Sequence, residues 1–263
     1  MDLKLRGKRA LVTGSTAGIG FAIAQGLPRE RAEVIVNGRT EQKVAEAVQR
    51  ISSEVGSRAT GIAADLSSAG GVAKLVAEAG RIDILVNNVG IFWPVPFVEI
   101  SDEDWSRIFE VNVMSGARLA RALLPAMLSR NWGRIIFISS ESALQIPVEM
   151  IHYGVTKTAQ LALSRGIAES VAGTGVTVNA VLPGPTRSEG AVEFLGKVAA
   201  EHKTDIAAVE EEFIRTMRPT SVIRRFAESE EVANLVVFLC GEGSSAITGA
   251  ALRVDGGVVR SIA

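Results

Sequence analysis

The sequence has little cysteine, little tyrosine and little uncompensated charge. Cys240 is the only cysteine of the 263 residues, which excludes an intrachain disulfide and a cysteine cluster for zinc. The 28 lysines and arginines almost balance the 29 acidic residues, which removes the electrostatic case for a nucleic acid or an anionic membrane as partner. Apolar runs such as Leu235–Cys240 are far shorter than the roughly 18 residues that span a bilayer. We therefore expect a cytoplasmic protein without a signal peptide or a metal site.

A short strand followed at once by a glycine-rich turn predicts a nucleotide site near the N-terminus. Residues 9–13 read as a buried strand, and the segment Gly14-Ser15-Thr16-Ala17-Gly18-Ile19-Gly20 leads directly into a helical pattern. Gly14 suits the tight turn, Gly18 leaves room for a pyrophosphate, and Gly20 lets the helix pack closely on the strand. The helix N-terminus then faces the phosphates with its partial positive charge. Ile19 and Gly20 exclude a P-loop, whereas an ordinary strand-to-helix turn remains the alternative.

The end of the second predicted strand, residues 34–36, indicates the preferred cofactor. A carboxylate there would bind the adenosine 2′-hydroxyl and repel a 2′-phosphate. The residues that follow are Asn37-Gly38-Arg39-Thr40, with no carboxylate before Glu41. Because a guanidinium suits a phosphate, the sequence favours NADP over NAD, with Arg39 at the 2′-phosphate. The alternative for Arg39 is a solvated loop cation.

Two more strand ends carry polar residues at the edge where doubly wound sheets bind ligands. A strand over residues 59–63 ends at Asp65-Leu66, and Asp65 either accepts a hydrogen bond from the adenine amino group or caps a helix over residues 67–79. A strand over residues 82–86 ends at Asn87-Asn88-Val89-Gly90. The two amides and the glycine of this segment can form a loop that fits around a ligand. Asparagines at strand ends are also common turn formers.

The only tyrosine, Tyr153, precedes Lys157 by four positions on a predicted helix. Positions i and i+4 share a helix face, so an ammonium would sit beside the phenol. It would lower the pKa of the phenol toward neutral pH, where a phenol can act as a general acid. Ser139 and Ser140 follow the strand predicted over residues 134–138. Asn112, in a helical segment from residue 101 to about 130, marks either a kink with a free carbonyl or a satisfied buried amide. A surface tyrosine and lysine could show the same spacing by chance.

Strands and helices alternate strictly to the end of the chain, and the hydrophobic content of 47% is ample for a sizeable core. This alternation indicates one α/β domain, residues 1–263, with a parallel sheet. Residues 187–227 are a helical insert beyond a strand's C-terminal edge, which is typical of a lid. Four arginines near its end either meet an acidic partner or form a solvated face balanced by acidic neighbours, and we favour the solvated face: Arg215, Arg218, Arg224 and Arg225.

Taken together, the motifs resemble the short-chain dehydrogenase/reductase superfamily from about residue 7 to 257. The resemblance rests on these markers, in order: Thr13-Gly14-x-x-x-Gly18-Ile19-Gly20, Asn87-Asn88-Val89-Gly90, Asn112, Ser140, Tyr153-x-x-x-Lys157 and Pro183-Gly184. It implies a Rossmann-like, doubly wound, parallel sheet of seven strands in the order 3-2-1-4-5-6-7, with helices on both faces. It also implies a homotetramer or homodimer.

The resemblance implies a role for each matched residue. Tyr153 is the general acid/base, Lys157 lowers its pKa and holds the nicotinamide ribose, and Ser140 binds the substrate oxygen. Ser140 is selected over Ser139 because the family's serine lies 13 residues before its tyrosine. Asn112 holds, through its backbone, a water that links Lys157 to solvent. The residues expected to bind the cofactor are Gly14, Ser15, Thr16, Gly18, Ile19, Gly20, Arg39, Asp65, Leu66, Asn88, Val89, Gly90, Tyr153, Lys157, Pro183, Gly184 and Thr186.

Three positions depart from the family pattern. Val89 stands where alanine is usual, and its larger side chain is expected to narrow the cofactor pocket slightly on the side of the nicotinamide. The segment between Asp65 and Arg81 is several residues shorter than is common. NADP-preferring members often carry a basic residue just before the second glycine, where this chain has Ala17. Arg39 must therefore carry the 2′-phosphate preference alone.

The predicted function is NAD(P)-dependent hydride transfer between nicotinamide and a ketone or secondary alcohol, as an NADPH-dependent carbonyl reductase. The predicted substrate contacts are Ser140, Trp93, Ile146 and Met150, which with Phe92 and Pro94 indicate an apolar pocket for an acyl chain, ring or sterol-like ketone. A 3-oxoacyl-carrier-protein reductase would use the same chemistry. A dinucleotide-sensing protein without turnover and a methyltransferase are the alternatives from other classes.

Overall fold

The fold is built on a parallel sheet. The computed structural model describes residues 2–56 and 59–262, and the sheet within them has the strand order β3-β2-β1-β4-β5-β6-β9. Every neighbouring pair is parallel, which confirms the predicted order once two short strands outside the sheet are set aside. Its strands are β1 (Arg9–Val12), β2 (Glu33–Gly38), β3 (Ala59–Ala63), β4 (Ile84–Asn87), β5 (Gly133–Ile138), β6 (Val176–Pro183) and β9 (Ala251–Val254).

Helices cover both faces of this sheet. They are α1 (Gly18–Arg29), α2 (Glu41–Val55), α3 (Ala69–Ala79), α4 (Asp102–Phe109), α5 (Ser115–Ser129), α6 (Ile151–Ser170), α7 (Glu189–His202), α8 (Ile206–Met217) and α9 (Ser229–Cys240). Successive strand residues point to opposite faces. In β1, Ala10 and Val12 pack with α1 and α9, whereas Leu11 packs with α3 and α5. Among the described residues, no helix combines the length and apolar character needed to span a membrane.

The start of α3 differs from the prediction at Asp65. Ser68, rather than Asp65, caps this helix, because the Ser68 hydroxyl accepts a hydrogen bond from the Gly71 N–H at 3.1 Å. The Asp65 carboxylate instead accepts the Ser67 N–H at 3.0 Å, just outside the helix. Of the two alternatives for Asp65, the helix cap is therefore wrong.

The long helical segment predicted around Asn112 is broken by one wide turn. Residues 110–114 form a π-helical turn between α4 and α5, and Asn112 is buried in it. A π turn lengthens the hydrogen-bond spacing and so changes which carbonyl is free to bond elsewhere. The structure supports the reading of a satisfied buried amide, and the π turn is the irregularity that Asn112 marks. Pro125 lies inside α5 and does not end it.

The insert consists of α7 and α8, joined to the main body by two short strands that the sequence did not predict. These strands are β7 (Thr186–Arg187) and β8 (Ala227–Glu228), and they pair in parallel where the insert begins and ends. The Arg187 guanidinium connects this strand pair to the insert, because it binds the carboxylates of Glu210 on α8 and Glu228 on β8. A small apolar cluster of Leu195, Ile214 and Phe226 joins the two helices.

Candidate active site

The glycine turn between β1 and α1 has the shape that a dinucleotide pyrophosphate needs. Gly14 and Gly18 have φ angles of +58° and +57°, a region that favours glycine. A Cβ at Gly20 would lie 2.5 Å from the Gly14 carbonyl oxygen, so a side chain cannot be accommodated there. The Asn88 side-chain amide donates to the Thr13 and Gly14 carbonyls, both at 3.0 Å, and so holds the turn. The residues present therefore fit an NAD(P) pyrophosphate.

The other predicted residues of the turn face the protein. The Ser15 N–H and hydroxyl are both used internally, as the hydroxyl donates to the Val12 carbonyl at 2.6 Å and the N–H donates to the Asn37 carbonyl at 2.8 Å. Thr16 packs against Gly38 at the end of β2, and Ile19 packs on the core. Ser15 therefore stabilises the turn, and its contact with a cofactor stays a prediction.

The insert reaches the glycine turn through Glu189. The N–H of Gly18 donates to the Glu189 carboxylate, and a Cβ added at Gly18 would lie 3.1 Å from the Ser188 Cβ. The first turn of α7 thus covers the N-terminus of α1, where an anion is stabilised. The sequence analysis did not identify this contact.

Arg39 and Asp65 lie at the adenosine end of the site. Arg39 is exposed at the end of β2, and within residues 2–56 and 59–262 it forms no ion pair within salt-bridge distance. Its charge contributes to a lowered pKa of Asp65, whose main cause is the hydrogen bond from the Ser67 N–H. Leu66 beside them is buried. Arg39 is therefore available to an anionic ligand.

Ser140, Tyr153 and Lys157 meet where β5 ends. Ser140 follows β5, while Tyr153 and Lys157 lie one turn apart on α6. The Ser140 hydroxyl is within hydrogen-bond reach of the Tyr153 phenol and of the Glu141 carboxylate. The Lys157 Nζ lies 5.5 Å from the centre of the Tyr153 ring and donates to the Ile138 carbonyl at 2.9 Å. The structure thus brings these three predicted residues together. The Ser139 hydroxyl instead donates a hydrogen bond to the backbone carbonyl of Lys157.

Burial dominates the pKa values of both Tyr153 and Lys157. Burial raises the pKa of Tyr153, and the nearby Glu141 charge raises it further, while Ser140 and Arg218 oppose this rise. Burial also lowers the pKa of Lys157 to about 7. The net rise at Tyr153 follows because loss of water around the phenol and the Glu141 charge outweigh Ser140 and Arg218. The effect of Lys157 on the phenol stays a prediction.

Asn112 connects the π turn to α6 and to the segment after β4. Its side-chain amide accepts the Ile91 N–H at 2.8 Å and donates to the Ile91 carbonyl and the Thr156 hydroxyl, both at 3.0 Å. Its backbone carbonyl accepts the Gln160 side-chain amide at 2.6 Å. The Gln160 oxygen in turn accepts a hydrogen bond from Lys157 at 3.3 Å. Sequence reasoning missed Gln160, although its place three residues after Lys157 on one helix face was a usable signal.

Gly90 and Val89 line the edge between the glycine turn and Lys157. A Cβ at Gly90 would lie 3.4 Å from the Lys157 Nζ, and the Val89 side chain lies 3.1 Å from where a Gly14 Cβ would be. On the other side, Gly184 packs against the Asp255 backbone and its carbonyl accepts the Thr186 hydroxyl at 2.9 Å. Because β6 ends at Pro183, the insert that follows begins at the same edge of the sheet as the glycine turn.

Glu141 and Arg218 form a buried ion pair beside Ser140. The Arg218 Nε donates to the Glu141 carboxylate at 2.8 Å, and the side chains are only 8% and 5% exposed. Our preference for a solvated arginine face is therefore wrong at Arg218, because this residue turns inward to a carboxylate that follows Ser140. It holds for Arg215, whose partner Glu212 is also exposed. No local pattern could have paired Glu141 with a residue 77 positions away.

The predicted substrate contacts differ in their neighbours around Tyr153. The Phe92 ring packs against Tyr153 with 5.7 Å between centroids, whereas the Trp93 ring packs 4.6 Å from His152. Ile146 is exposed and lies over Gly154, beside Tyr153. Met150 is half-buried just before α6. Phe92 is thus better placed than Trp93 to contact a substrate.

The chain is similar to known oxidoreductases along its whole length. Residues 14–259 match a family model described as enoyl-(acyl carrier protein) reductase. The chain is 47% identical over 263 residues to the uncharacterized oxidoreductase YvaG of Bacillus subtilis, with 100% of both chains covered. It is 35% identical to 3-oxoacyl-[acyl-carrier-protein] reductase FabG of Aquifex aeolicus, which covers 98% of this chain and 100% of FabG.

A solved structure shows the same likeness. L-sorbose reductase from Gluconobacter frateurii, complexed with NADPH and L-sorbose, has a TM-score of 0.94 and 33% identity, with 100% of both chains covered. The chain therefore belongs to the short-chain dehydrogenase/reductase superfamily, as its motifs predicted. It is an NAD(P)-dependent oxidoreductase.

Proposed function

We propose that the protein is an NADPH-dependent carbonyl reductase that converts a ketone to a secondary alcohol. The observation that carries this proposal is the meeting of Ser140, Tyr153 and Lys157 at the end of β5, beside the glycine turn. When bound, NADPH supplies the hydride that the carbonyl carbon accepts. The chain itself must place the ketone and protonate its oxygen.

Tyr153 is the proton donor in this proposal. Its phenol is protonated at neutral pH, so the proton to be donated is present at the start of a reduction. Ser140 polarises the carbonyl oxygen by donating a hydrogen bond, and Lys157 holds the nicotinamide ribose. Asn112 supports Lys157 through the backbone of the π turn.

The preference for NADPH rests on Arg39. Its guanidinium is exposed and unpaired within the described part of the chain, at the strand end where the adenosine ribose binds in this fold. A 2′-phosphate would be a suitable partner for it. The bound NADPH of the L-sorbose reductase structure supports the same preference.

A second candidate is the reduction of 3-oxoacyl groups on a carrier protein. Four apolar side chains from the segments before Tyr153 are exposed, which favours an acyl chain as substrate, and FabG is a relative. These side chains are Phe92, Leu144, Ile146 and Val148. In either case we propose that residues 187–227 act as a lid, and we expect a homotetramer or homodimer, which light scattering would test.

The deciding experiment is a spectrophotometric assay with NADPH and NADH against small ketones, polyhydroxy ketones and 3-oxoacyl thioesters. We expect NADPH consumption with at least one ketone, and a loss of about 10²- to 10⁴-fold in turnover for Tyr153→Phe with nearly unchanged NADPH affinity. Turnover of Tyr153→Phe within tenfold of the wild type would contradict the assignment. NADPH binding without turnover on any substrate would favour a dinucleotide-sensing protein.

A further inference from the structure

Gln160 joins two groups that the proposed mechanism uses. It is buried on α6, one turn after Lys157. Its Nε2 donates to the Asn112 carbonyl at 2.6 Å, and its Oε1 accepts from the Lys157 Nζ at 3.3 Å. The orientation of this amide is unambiguous, because a carbonyl only accepts hydrogen bonds and an ammonium only donates them.

The π turn makes this bridge available. Residues 110–114 follow a wider spacing than an α-helix, and the Asn112 carbonyl within them accepts the Gln160 amide from α6. The Asn112 side chain cannot serve instead, because Ile91 and Thr156 already occupy it. Gln160 thus binds the Asn112 backbone and not its side chain.

Lys157 has few other groups to stabilise its charge. Within the described residues it forms no salt bridge, and its other acceptor is the Ile138 carbonyl at 2.9 Å. Tyr153, on the same helix, is the titratable group beside it. Glu141, from the turn after β5, and Arg218, from the end of α8, act on Tyr153. An amide oxygen that accepts from a buried ammonium favours its charged form.

We propose that Gln160 is a positioning residue that fixes the Lys157 ammonium and favours its protonated form, in the place where the family resemblance implies a water. This inference rests on the proposed function only in giving Lys157 a part in the reaction. A side-chain amide holds its position without the freedom of a water and does not ionise. Gln160 therefore orients Lys157 without passing a proton onwards.

The test measures the pKa of Lys157 directly, by ¹³C NMR of protein labelled at the lysine Cε and titrated with pH. The Lys157 signal is assigned by its loss in Lys157→Met. We expect Gln160→Met to lower the Lys157 pKa by about one unit and Gln160→Glu to raise it by about one unit or more, because the first removes an acceptor and the second adds a charge.

Ser164→Ala is the matched control. Ser164 lies one turn further along α6, and its hydroxyl is buried without a hydrogen-bond partner in the described residues. Its removal should leave the Lys157 pKa unchanged. Opposite shifts in the two Gln160 variants support the inference, and shifts no larger than that of Ser164→Ala overturn it. Should Gln160→Met fail to fold, the direction of the shift in Gln160→Glu decides alone.

This measurement requires no turnover. If the wild type reduces no ketone, the proposed function is wrong, while the Lys157 pKa of the Gln160 variants still tests the inference about Gln160. Conversely, an active reductase whose Lys157 pKa does not change in the Gln160 variants would overturn only the inference about Gln160.

Discussion

The Arg218 guanidinium at the end of α8 binds the Glu141 carboxylate at 2.8 Å, with both side chains buried. Glu141 also accepts hydrogen bonds from the Ser140 hydroxyl and from the Ser142 N–H. The ion pair therefore fastens the insert to the turn that carries Ser140. Movement of the insert would have to break or carry along this contact.

Removing Arg218 should destabilise the fold strongly. Arg218→Met leaves the Glu141 charge buried and unpaired, so we expect the free energy of unfolding to fall by about 3 to 5 kcal/mol in urea titrations. Arg215→Met is the control, since water screens that exposed pair with Glu212 and its loss should change the free energy of unfolding little. Adding Glu141→Gln to Arg218→Met should restore part of the loss. Equal effects of the Arg218 and Arg215 variants would show that the buried pair does not matter.

Glu189 should weaken cofactor binding. Its carboxylate accepts the Gly18 N–H at the N-terminus of α1, where we propose that the pyrophosphate binds, so the two anions compete. Glu189→Gln should lower the Kd for NADPH by about three- to tenfold in fluorescence titrations, and more so at low salt. Glu201→Gln, an equal charge change further along α7, should have no effect. An unchanged or weaker affinity in Glu189→Gln would refute the competition.

Arg39 should decide between NADPH and NADH. Arg39→Ala removes the proposed partner of the 2′-phosphate, so we expect the Kd for NADPH to rise by about tenfold or more, with little change for NADH. Arg6→Ala removes an exposed arginine near the N-terminus and serves as the control. If both cofactors lose affinity equally in Arg39→Ala, the residue does not read the 2′-phosphate.

Lys157 should make the protein more stable as the pH rises above 7. Burial lowers its pKa from 10.5 to about 7, so between these values the unfolded chain binds a proton that the folded chain does not. The free energy of unfolding then increases with pH, by up to about 1.4 kcal/mol per pH unit, and below about pH 7 this contribution no longer changes. Above about pH 10 the raised pKa of Tyr153 acts in the opposite direction.

The comparison that checks this is urea unfolding of the wild type, Lys157→Met and Lys43→Met between about pH 7 and 9.5. Lys43 is exposed on α2, so its variant should keep the wild-type slope, whereas Lys157→Met should flatten it. A parallel pH dependence in all three proteins would mean that Lys157 does not titrate in this range.

Local patterns were sufficient to predict the sheet and the chain positions of its main site residues. Gly14, Gly18 and Tyr153 lie where strand ends and helix spacing place them, because the carboxyl ends of parallel strands share one edge. The strand order itself came from the family resemblance, since spacing along a sequence does not determine which strands are neighbours.

Contacts between distant segments were beyond such patterns. The β7–β8 strands have two residues each, too short for any periodicity, and their pairing depends on the insert that separates them. The same holds for Glu141 with Arg218, and for Gly18 with Glu189, which are 171 positions apart. The burial that raises the pKa of Tyr153 also required three dimensions, because burial cannot be inferred from the spacing of Tyr153 and Lys157.

Tyr153 is the only tyrosine of the chain, and this gives the protein an optical indicator at the centre of its proposed chemistry. A phenolate absorbs at longer wavelength than a phenol, and tryptophan rings do not titrate, so the pH-dependent change in the near ultraviolet belongs to a single known side chain. No label or substrate is needed to record it. The influence of Ser140, Glu141 or Arg218 on the proton donor can each be observed as the displacement of one absorbance curve.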